Sequence, residues 1–187
     1  MKLNKILLGA AAGLLLATSA KADFSCYITG STAFRAAVYS AIASLYDTGF
    51  NVNASANTTA PFTTIANPQA PNRPSSDSLF NGANAMIFSG TMTSAFGSQI
   101  VTIYCNWSGS VEGLRDVTQG NTLPFMTNAV STTTASTDNG ANVVPDFAFS
   151  DVYQSSTIYK TPTLQTSICG VVPFVFVKNR SEEHTSE

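Results

Sequence analysis

Charged side chains and histidine are the features that this sequence has least of. Charged residues make up 11% of the chain, against roughly 25% in an average globular protein. The nine lysines and arginines are scattered, so nucleic acid is not an expected partner. The one histidine, His184, lies near the C-terminus, and residues 23–179 contain none. Ser-His-Asp and Cys-His catalysis and most zinc sites are therefore excluded from that region.

Uncharged polar residues take the place of the missing charges. The 187 residues include 22 Ser, 23 Thr and 14 Asn, with a net charge of −2. The apolar fraction of 44% is nevertheless sufficient for a hydrophobic core, and the length suits one domain or slightly more. We expect no enzyme activity and no cofactor, because neither a nucleophile–base set nor metal-ligand spacing is present.

Both ends differ from the rest of the chain. Lys2 and Lys5 precede an apolar run at residues 6–17, and Ala20-Lys-Ala22 resembles a cleavage site. This pattern is typical of a secretory signal peptide over residues 1–22, which predicts a periplasmic or secreted protein with no membrane span in the mature chain. Residues 180–187 resemble a translated sequencing adapter, the alternative being a solvated charged tail. We therefore expect the natural protein to continue past Asn179.

Three cysteines, Cys26, Cys105 and Cys169, occur in a chain whose predicted export permits disulfides. Cys26 and Cys105 each stand four residues before the glycine of a turn, Gly30 and Gly109. If the two strands are parallel neighbours with matched turns, these cysteines share a face and could form a disulfide. Buried free thiols are the alternative.

Short apolar segments alternate with helical patterns along the chain. Strands are predicted at residues 24–29, 99–106, 143–149 and 169–177. The first helix has Ser31 as its N-cap and ends by Gly49, and the second ends at Gly120. Residues 51–98 are predicted to be a long, mostly exposed polar insertion with a short apolar element near 85–88. We expect an α/β fold whose parallel sheet is covered by helices on both faces.

Small hydroxylated turns follow three of these strands. They are Gly30-Ser-Thr32, Ser108-Gly-Ser110 and Ser150-Asp151. Ligands of open parallel sheets bind beyond the carboxyl ends of the strands, and two of these turns also open helices. Backbone N–H groups and hydroxyls at such an edge predict an anion site that needs no lysine or arginine. Simple helix capping by Ser31 and Ser110, and an Asx turn at Asp151, are the alternatives.

Four segments, in this order, resemble the first half of the periplasmic phosphate-binding proteins of ABC transporters. They are Tyr27-Ile-Thr-Gly-Ser-Thr-Ala-Phe34, Tyr104-Cys-Asn-Trp-Ser-Gly-Ser-Val-Glu-Gly-Leu-Arg-Asp-Val117, Asp146-Phe-Ala-Phe-Ser-Asp151 and Gly170-Val-Val-Pro-Phe-Val-Phe-Val177. The resemblance implies the first lobe of a two-lobed solute-binding fold over residues 23–179. It implies phosphate or a related oxyanion as ligand and transporter membrane subunits as partners.

The resemblance also implies roles for individual residues. Thr32 and the Ala33 N–H match the first phosphate donors of the family, beside Ser31. Ser110 matches the donor of the second turn, and Asp151 matches the acceptor of the third.

Two features depart from the family pattern. Val111 lacks the hydroxyl that the family has in the second turn, and Glu112 brings a carboxylate there. The polar insertion at residues 51–98 lies where the family passes quickly from helix to strand. These departures favour the alternative of a surface or matrix protein that keeps the fold and uses the Thr/Asn-rich insertion for adhesion. An oxyanion-handling hydrolase would need a base or metal ligands from beyond Asn179.

Overall fold

A five-stranded mixed sheet forms the centre of this α/β protein in a computed structural model that describes residues 23–65, 82–129 and 134–170. The predicted leader, the tail at 180–187 and the predicted strand beyond Gly170 lie outside the described residues. The strands are β1 (Phe24–Gly30), β2 (Asn51–Ser55), β3 (Phe62–Thr63), β4 (Ala85–Thr91), β5 (Ile100–Asn106), β6 (Leu123–Phe125), β7 (Thr137–Asp138), β8 (Ala141–Val143) and β9 (Phe147–Phe149). The α-helices are α1 (Arg35–Leu45) and α2 (Ser110–Gln119), and short 3-10 helices span Thr32–Phe34, Ser94–Phe96 and Gln154–Ser156.

The central sheet has the order β2-β4-β5-β1-β9. Strands β5, β1 and β9 run parallel, whereas β4 is antiparallel to both β2 and β5. The prediction of a parallel sheet is therefore wrong for half of it. The physical reason is the short connection between β4 and β5, since a parallel pair requires a crossover of a dozen or more residues.

The predicted polar insertion contributes two strands of the five-stranded sheet. The expectation of a mostly exposed segment is wrong for β2, whereas the short apolar element predicted near residues 85–88 is the buried start of β4. Val52 and Ala54 of β2 are buried, and the first four residues of β4 are buried in succession. Two polar residues of β2 are also buried, and both have hydrogen-bond partners. Asn53 donates to the Asn128 carbonyl at 3.0 Å, and Ser55 donates to the Thr63 carbonyl at 2.8 Å.

The two faces of the sheet are covered by different elements. Helix α1 places Val38 and Ile42 in a core with Ile28 and Ile103. On the other face, Ile87 packs in a second core with Phe62 and Met126. Tyr27 and Tyr104, which are in register, stack there with ring centroids 4.4 Å apart.

Helix α2 packs against the ends of β1 and β9 through a glycine. A Cβ atom at Gly113 would lie 2.7 Å from the Gly30 Cα and 3.1 Å from the Ala148 Cβ. Helix α2 ends where the sequence predicts, because Gly120 adopts the left-handed conformation and its N–H bonds to the Asp116 carbonyl. Helix α1, in contrast, ends at Leu45 rather than at Gly49.

The three cysteines are free thiols, so the disulfide hypothesis is wrong. Cys26 is paired with Ile103, and Cys105 is paired with Ile28. The two cysteines share a face but stand two residues out of register, because the turns after β1 and β5 are not matched. Burial, with a smaller effect of the Asp146 charge, raises the pKa of the Cys26 thiol to about 11.

Replacing Gly113 by Ala tests the close packing of α2. The new Cβ meets backbone rather than a flexible side chain, and overpacking costs about 1–3 kcal/mol, which exceeds the gain of about 1 kcal/mol in helix propensity. Gly113→Ala is expected to lower the free energy of unfolding, measured by urea denaturation. Val111→Ala, at an exposed position of the same helix, should be nearly neutral. Equal stability of Gly113→Ala and wild type would contradict the contact.

The hydrogen bonds of Asp138 predict that the stability of the fold decreases in acid. Burial raises the pKa of this carboxyl, but hydrogen bonds from the Asn128, Gly140 and Thr127 N–H groups and the Thr127 hydroxyl outweigh burial and lower it. The folded pKa lies below the unfolded value of about 3.9, so the stabilisation is complete above that pH and is lost as the pH falls through the folded pKa.

We therefore expect Asp138→Asn to be less stable at pH 7 by about 1.5–3 kcal/mol, the usual contribution of hydrogen bonds to a charged group. The difference from wild type should shrink toward pH 2 in urea unfolding experiments. Asp47→Asn, at an exposed position, is the control and should leave stability unchanged. A difference for Asp138→Asn that does not change with pH would contradict an ionised acceptor.

Candidate functional site

The carboxyl ends of three parallel strands meet at one edge of the sheet. Strand β1 lies between β5 and β9. The chain forms β5 on one side of β1 and later forms β9 on the other side. Such a reversal of strand order is where ligands of open α/β sheets bind. The three hydroxylated turns predicted from the sequence follow these strand ends, and we call them together the switch-point cluster: residues 30–33, 108–110 and 150–151.

Backbone hydrogen bonds join these turns directly. The Ser31 N–H donates to the Phe149 carbonyl at 2.7 Å, and the Gly109 N–H donates to the Gly30 carbonyl at 2.9 Å. Gly30 has a φ of +119°, and a Cβ atom there would lie 1.9 Å from the Phe149 oxygen. Because no side chain fits, glycine at position 30 allows the three turns to approach one another.

Asp151 connects the starts of both helical segments. The Ser31 hydroxyl donates to Asp151 Oδ2 at 3.1 Å, and the Ser110 hydroxyl donates to Asp151 Oδ1. Ser31 is buried, whereas Asp151 is exposed. Three of the residues singled out in the sequence therefore form one hydrogen-bonded group with a carboxylate at its centre.

Thr32 and Ala33 form hydrogen bonds of a different kind from those that Ser31 and Ser110 donate to Asp151. The Ala33 N–H donates to the Ser31 hydroxyl at 3.2 Å, which is the N-cap interaction of the 3-10 helix. Thr32 is exposed, and its carbonyl accepts a hydrogen bond from Arg35 Nε at 3.1 Å. Ser31 thus serves as the helix cap that the sequence predicts and as a donor to Asp151 at the same time.

Negatively charged side chains lie around the cluster, and the partial positive charges of the helix N-termini oppose them. A Cβ atom at Gly109 would lie 2.7 Å from Glu112 Oε2, so this carboxylate folds back over the turn. The nearby cation, Arg35, donates to two backbone carbonyls, from Nε to Thr32 at 3.1 Å and from Nη1 to Gly82 at 2.9 Å. The first N–H groups of α2 and the positive end of its dipole face the same turn. This combination suits an anion that carries a proton better than one that is fully ionised.

Two residues behind the cluster were not predicted as part of it. The Thr29 hydroxyl, which is fully buried, lies 2.9 Å from the Ser108 hydroxyl. Trp107 is 1% exposed and packs toward Phe149 with ring centroids 6.2 Å apart. Its Nε1 has no hydrogen-bond partner among the described residues. A signal for Thr29 was present, because it is the last residue of an apolar strand and is itself polar.

Within the described ranges there is neither a candidate metal cluster nor a helix that could cross a membrane. In residues 23–65, 82–129 and 134–170, no group of three or more His, Cys, Asp or Glu side chains is arranged to hold a metal ion. The helices of this described part of the chain are all too short or too polar to cross a membrane.

Comparison of the chain with protein-family models, with curated proteins and with solved structures finds no match. The assignment of a function therefore depends on the sequence motifs and on the geometry of the switch-point cluster.

Replacing Ser31 and Thr32 separately tests how the cluster is held together. Ser31→Ala removes the acceptor for the Ala33 N–H and a donor to Asp151, and loss of such a cap costs about 0.5–2 kcal/mol. Thr32→Ala, at the exposed neighbouring position, is expected to stay within about 0.5 kcal/mol of wild type. Thermal and urea unfolding measure both variants, and equal stabilities would show that the Ser31 hydroxyl does not join the turns.

Proposed function

We propose that this chain is an exported, non-enzymatic solute-binding protein that captures phosphate or a related protonated oxyanion for an ABC transporter. One observation carries the proposal: the hydroxyls of Ser31 and Ser110 converge on the Asp151 carboxylate at the point where the strand order reverses. The leader predicted over residues 1–22 supports a periplasmic or secreted location. The absence of histidine from residues 23–179 supports binding rather than catalysis.

The order of the parallel strands agrees with the resemblance to the phosphate-binding family. Counted along the chain, β1 is the first parallel strand, β5 the second and β9 the third, and they lie in the order second-first-third. This is the beginning of the doubly wound order 2-1-3, which places a ligand site at the end of the first strand. It supports the interpretation of residues 23–179 as the first lobe of a solute-binding fold.

The chemistry of the proposed site depends on a proton carried by the ligand. Phosphate near neutral pH retains a proton, which an ionised Asp151 can accept in a hydrogen bond. The hydroxyls of Ser31 and Ser110 and the N–H groups at the start of α2 then donate to the other oxygens. Sulfate has no such proton and would place an oxygen against the carboxylate, leaving a charged acceptor unpaired.

The proposed site on this lobe binds weakly by itself. A helix N-terminus contributes at most about 2 kcal/mol to a bound anion in a partly buried geometry. Two such ends supply about 4 kcal/mol, which corresponds to a dissociation constant of about 1 mM. In the family that the chain resembles, a second lobe supplies the remaining ligands. We therefore expect residues 23–187 to bind phosphate in the millimolar range.

The alternative of a surface or matrix protein is favoured by a specific observation. The Asp151 carboxylate already accepts from two hydroxyls, and the Glu112 carboxylate lies over Gly109. The hydroxyls of Ser31 and Ser110 therefore already have a partner without a ligand, and the Ser31 hydroxyl also caps the 3-10 helix. In that case, the protein would act in adhesion through its Thr/Asn-rich segment, and the cluster would contribute to stability alone.

A titration followed by NMR separates these two functions. Phosphate and sulfate are added to 15N-labelled residues 23–187 at constant ionic strength, and the amide shifts of residues 30–33 and 109–112 are measured. We expect phosphate to bind about tenfold more tightly than sulfate, the equivalent of one unpaired charged acceptor. Asp151→Asn supplies a donor in the same shape and should bring the ratio of the two affinities close to one.

Asp47→Asn is the matched control, since it removes the same charge from an exposed position outside the cluster. It should leave the preference for phosphate unchanged. Shifts spread over the whole surface, or absent from the three turns, would contradict an anion site and favour the alternative. Binding at the turns with an unchanged ratio in Asp151→Asn would exclude Asp151 as the selective acceptor.

A further inference from the structure

A large apolar groove lies on the α1 side of the sheet, apart from the charged side chains of the switch-point cluster. Its volume is about 790 Å³, and its floor is formed by side chains of the three parallel strands. Helix α1 forms one wall through residues such as Phe34 and Ile42. Of the described residues that line the groove, Gln99 is the one with a strongly polar side chain.

The groove exposes aromatic surface that a folded monomer usually covers. Phe24, Phe96 and Phe147 line it and are 58%, 51% and 42% exposed. Contiguous apolar patches of this kind mark an interaction surface in soluble proteins. Covering them would stabilise the fold by about 25 cal/mol for each Å² removed from water.

The described chain ends inside this groove. Cys169 and Gly170, the last described residues, are both part of its lining. The next seven residues are Val-Val-Pro-Phe-Val-Phe-Val, all apolar, followed by Lys178 and Asn179. No linker separates the groove from this segment, so an apolar occupant of suitable length is already attached at its rim.

We propose that residues 171–177 of this chain bind in the groove and complete the core between α1 and the parallel strands. The preference for this segment over the apolar residues 6–17 comes from its direct attachment at Gly170, since residues 1–22 are expected to be removed on export. A second copy of the chain is less favoured, because an attached segment reaches a high effective concentration without association.

Binding of this segment in the groove would also hold two turns of the switch-point cluster in place. Phe34 follows the turn at residues 30–33, Phe149 precedes Asp151, and their rings lie 5.9 Å apart in the groove. An occupant packed on both rings would hold the two turns together. The proposal itself does not depend on anion binding, because the groove and the cluster share only Ala33, and the hydroxyls and the carboxylate of the cluster do not line the groove.

Cysteine cross-linking tests the proposal on residues 23–187, from which the leader is absent. A thiol is placed at the groove by Gln99→Cys in a Cys169→Ser background. A second thiol is then placed at one position at a time over residues 171–177, or, as matched controls, by Ser181→Cys or Ser186→Cys. A short bifunctional thiol reagent and mass spectrometry give the rate of each intramolecular cross-link.

We expect at least one position within residues 171–177 to cross-link to position 99 or to Cys26 about tenfold faster than the controls, since binding raises the effective concentration. Rates equal to those of the controls throughout would overturn the proposal. Cross-links that join two chains instead would assign the groove to a second copy and overturn it as well.

A variant pair gives a second measurement. The double substitution Phe174→Asp and Phe176→Asp should increase binding of a hydrophobic dye and accelerate hydrogen exchange in α1 and β9. The same two charges placed by Thr185→Asp and Ser186→Asp should change neither. Faster exchange confined to elements on the opposite face of the sheet would place the segment elsewhere and contradict the groove.

Discussion

The close approach of three backbone segments at the end of β1 is the constraint on which the candidate site depends. Gly30 contacts the Phe149 carbonyl on one side and Gly113 of α2 on another, with no side chain between them. Any Cβ at these glycines would separate strand from strand or helix from strand. Because the segments touch, the turns that follow β1, β5 and β9 open within hydrogen-bond distance of one another, and one carboxylate can accept from two of them.

The antiparallel strands β2 and β4 stabilise the sheet at whose edge these turns meet. Strands β2 and β4 bury Val52 and Phe88 in the core that also holds α1 against the sheet. Buried polar residues in these strands have partners in neighbouring loops, as Asn53 does with the Asn128 carbonyl. Each such bond avoids the penalty of about 1–3 kcal/mol for an unpaired buried group, so a polar segment can still form a buried strand at the edge of the sheet.

The sequence was informative where pattern and structure share a local cause. Strands β1 and β5, the N-cap at Ser31 and the end of α2 at Gly120 were predicted, because apolar runs and capping chemistry act within a few residues. Strand β2 was missed, since the burial of Asn53 depends on a loop 75 residues away. The pairing of Cys26 with Cys105 failed for a similar reason: the register of β1 and β5 is set by the whole sheet and not by the spacing to the following glycines.

The position of Asp151 has two physical consequences that act together. A carboxylate near helix N-termini is stabilised by their dipoles, and Asp151 joins two of the turns through the Ser31 and Ser110 hydroxyls. In the proposed site, the same carboxylate would repel any anion that brings no proton. The joining of the turns and the proposed selectivity would therefore both arise from one charge. A ligand that donates a hydrogen bond to Asp151 would leave this charge in place, whereas a fully ionised ligand would have to share the helix ends with it. In the proposed function, the proton on the ligand, rather than its size or shape, is the property that this arrangement would distinguish.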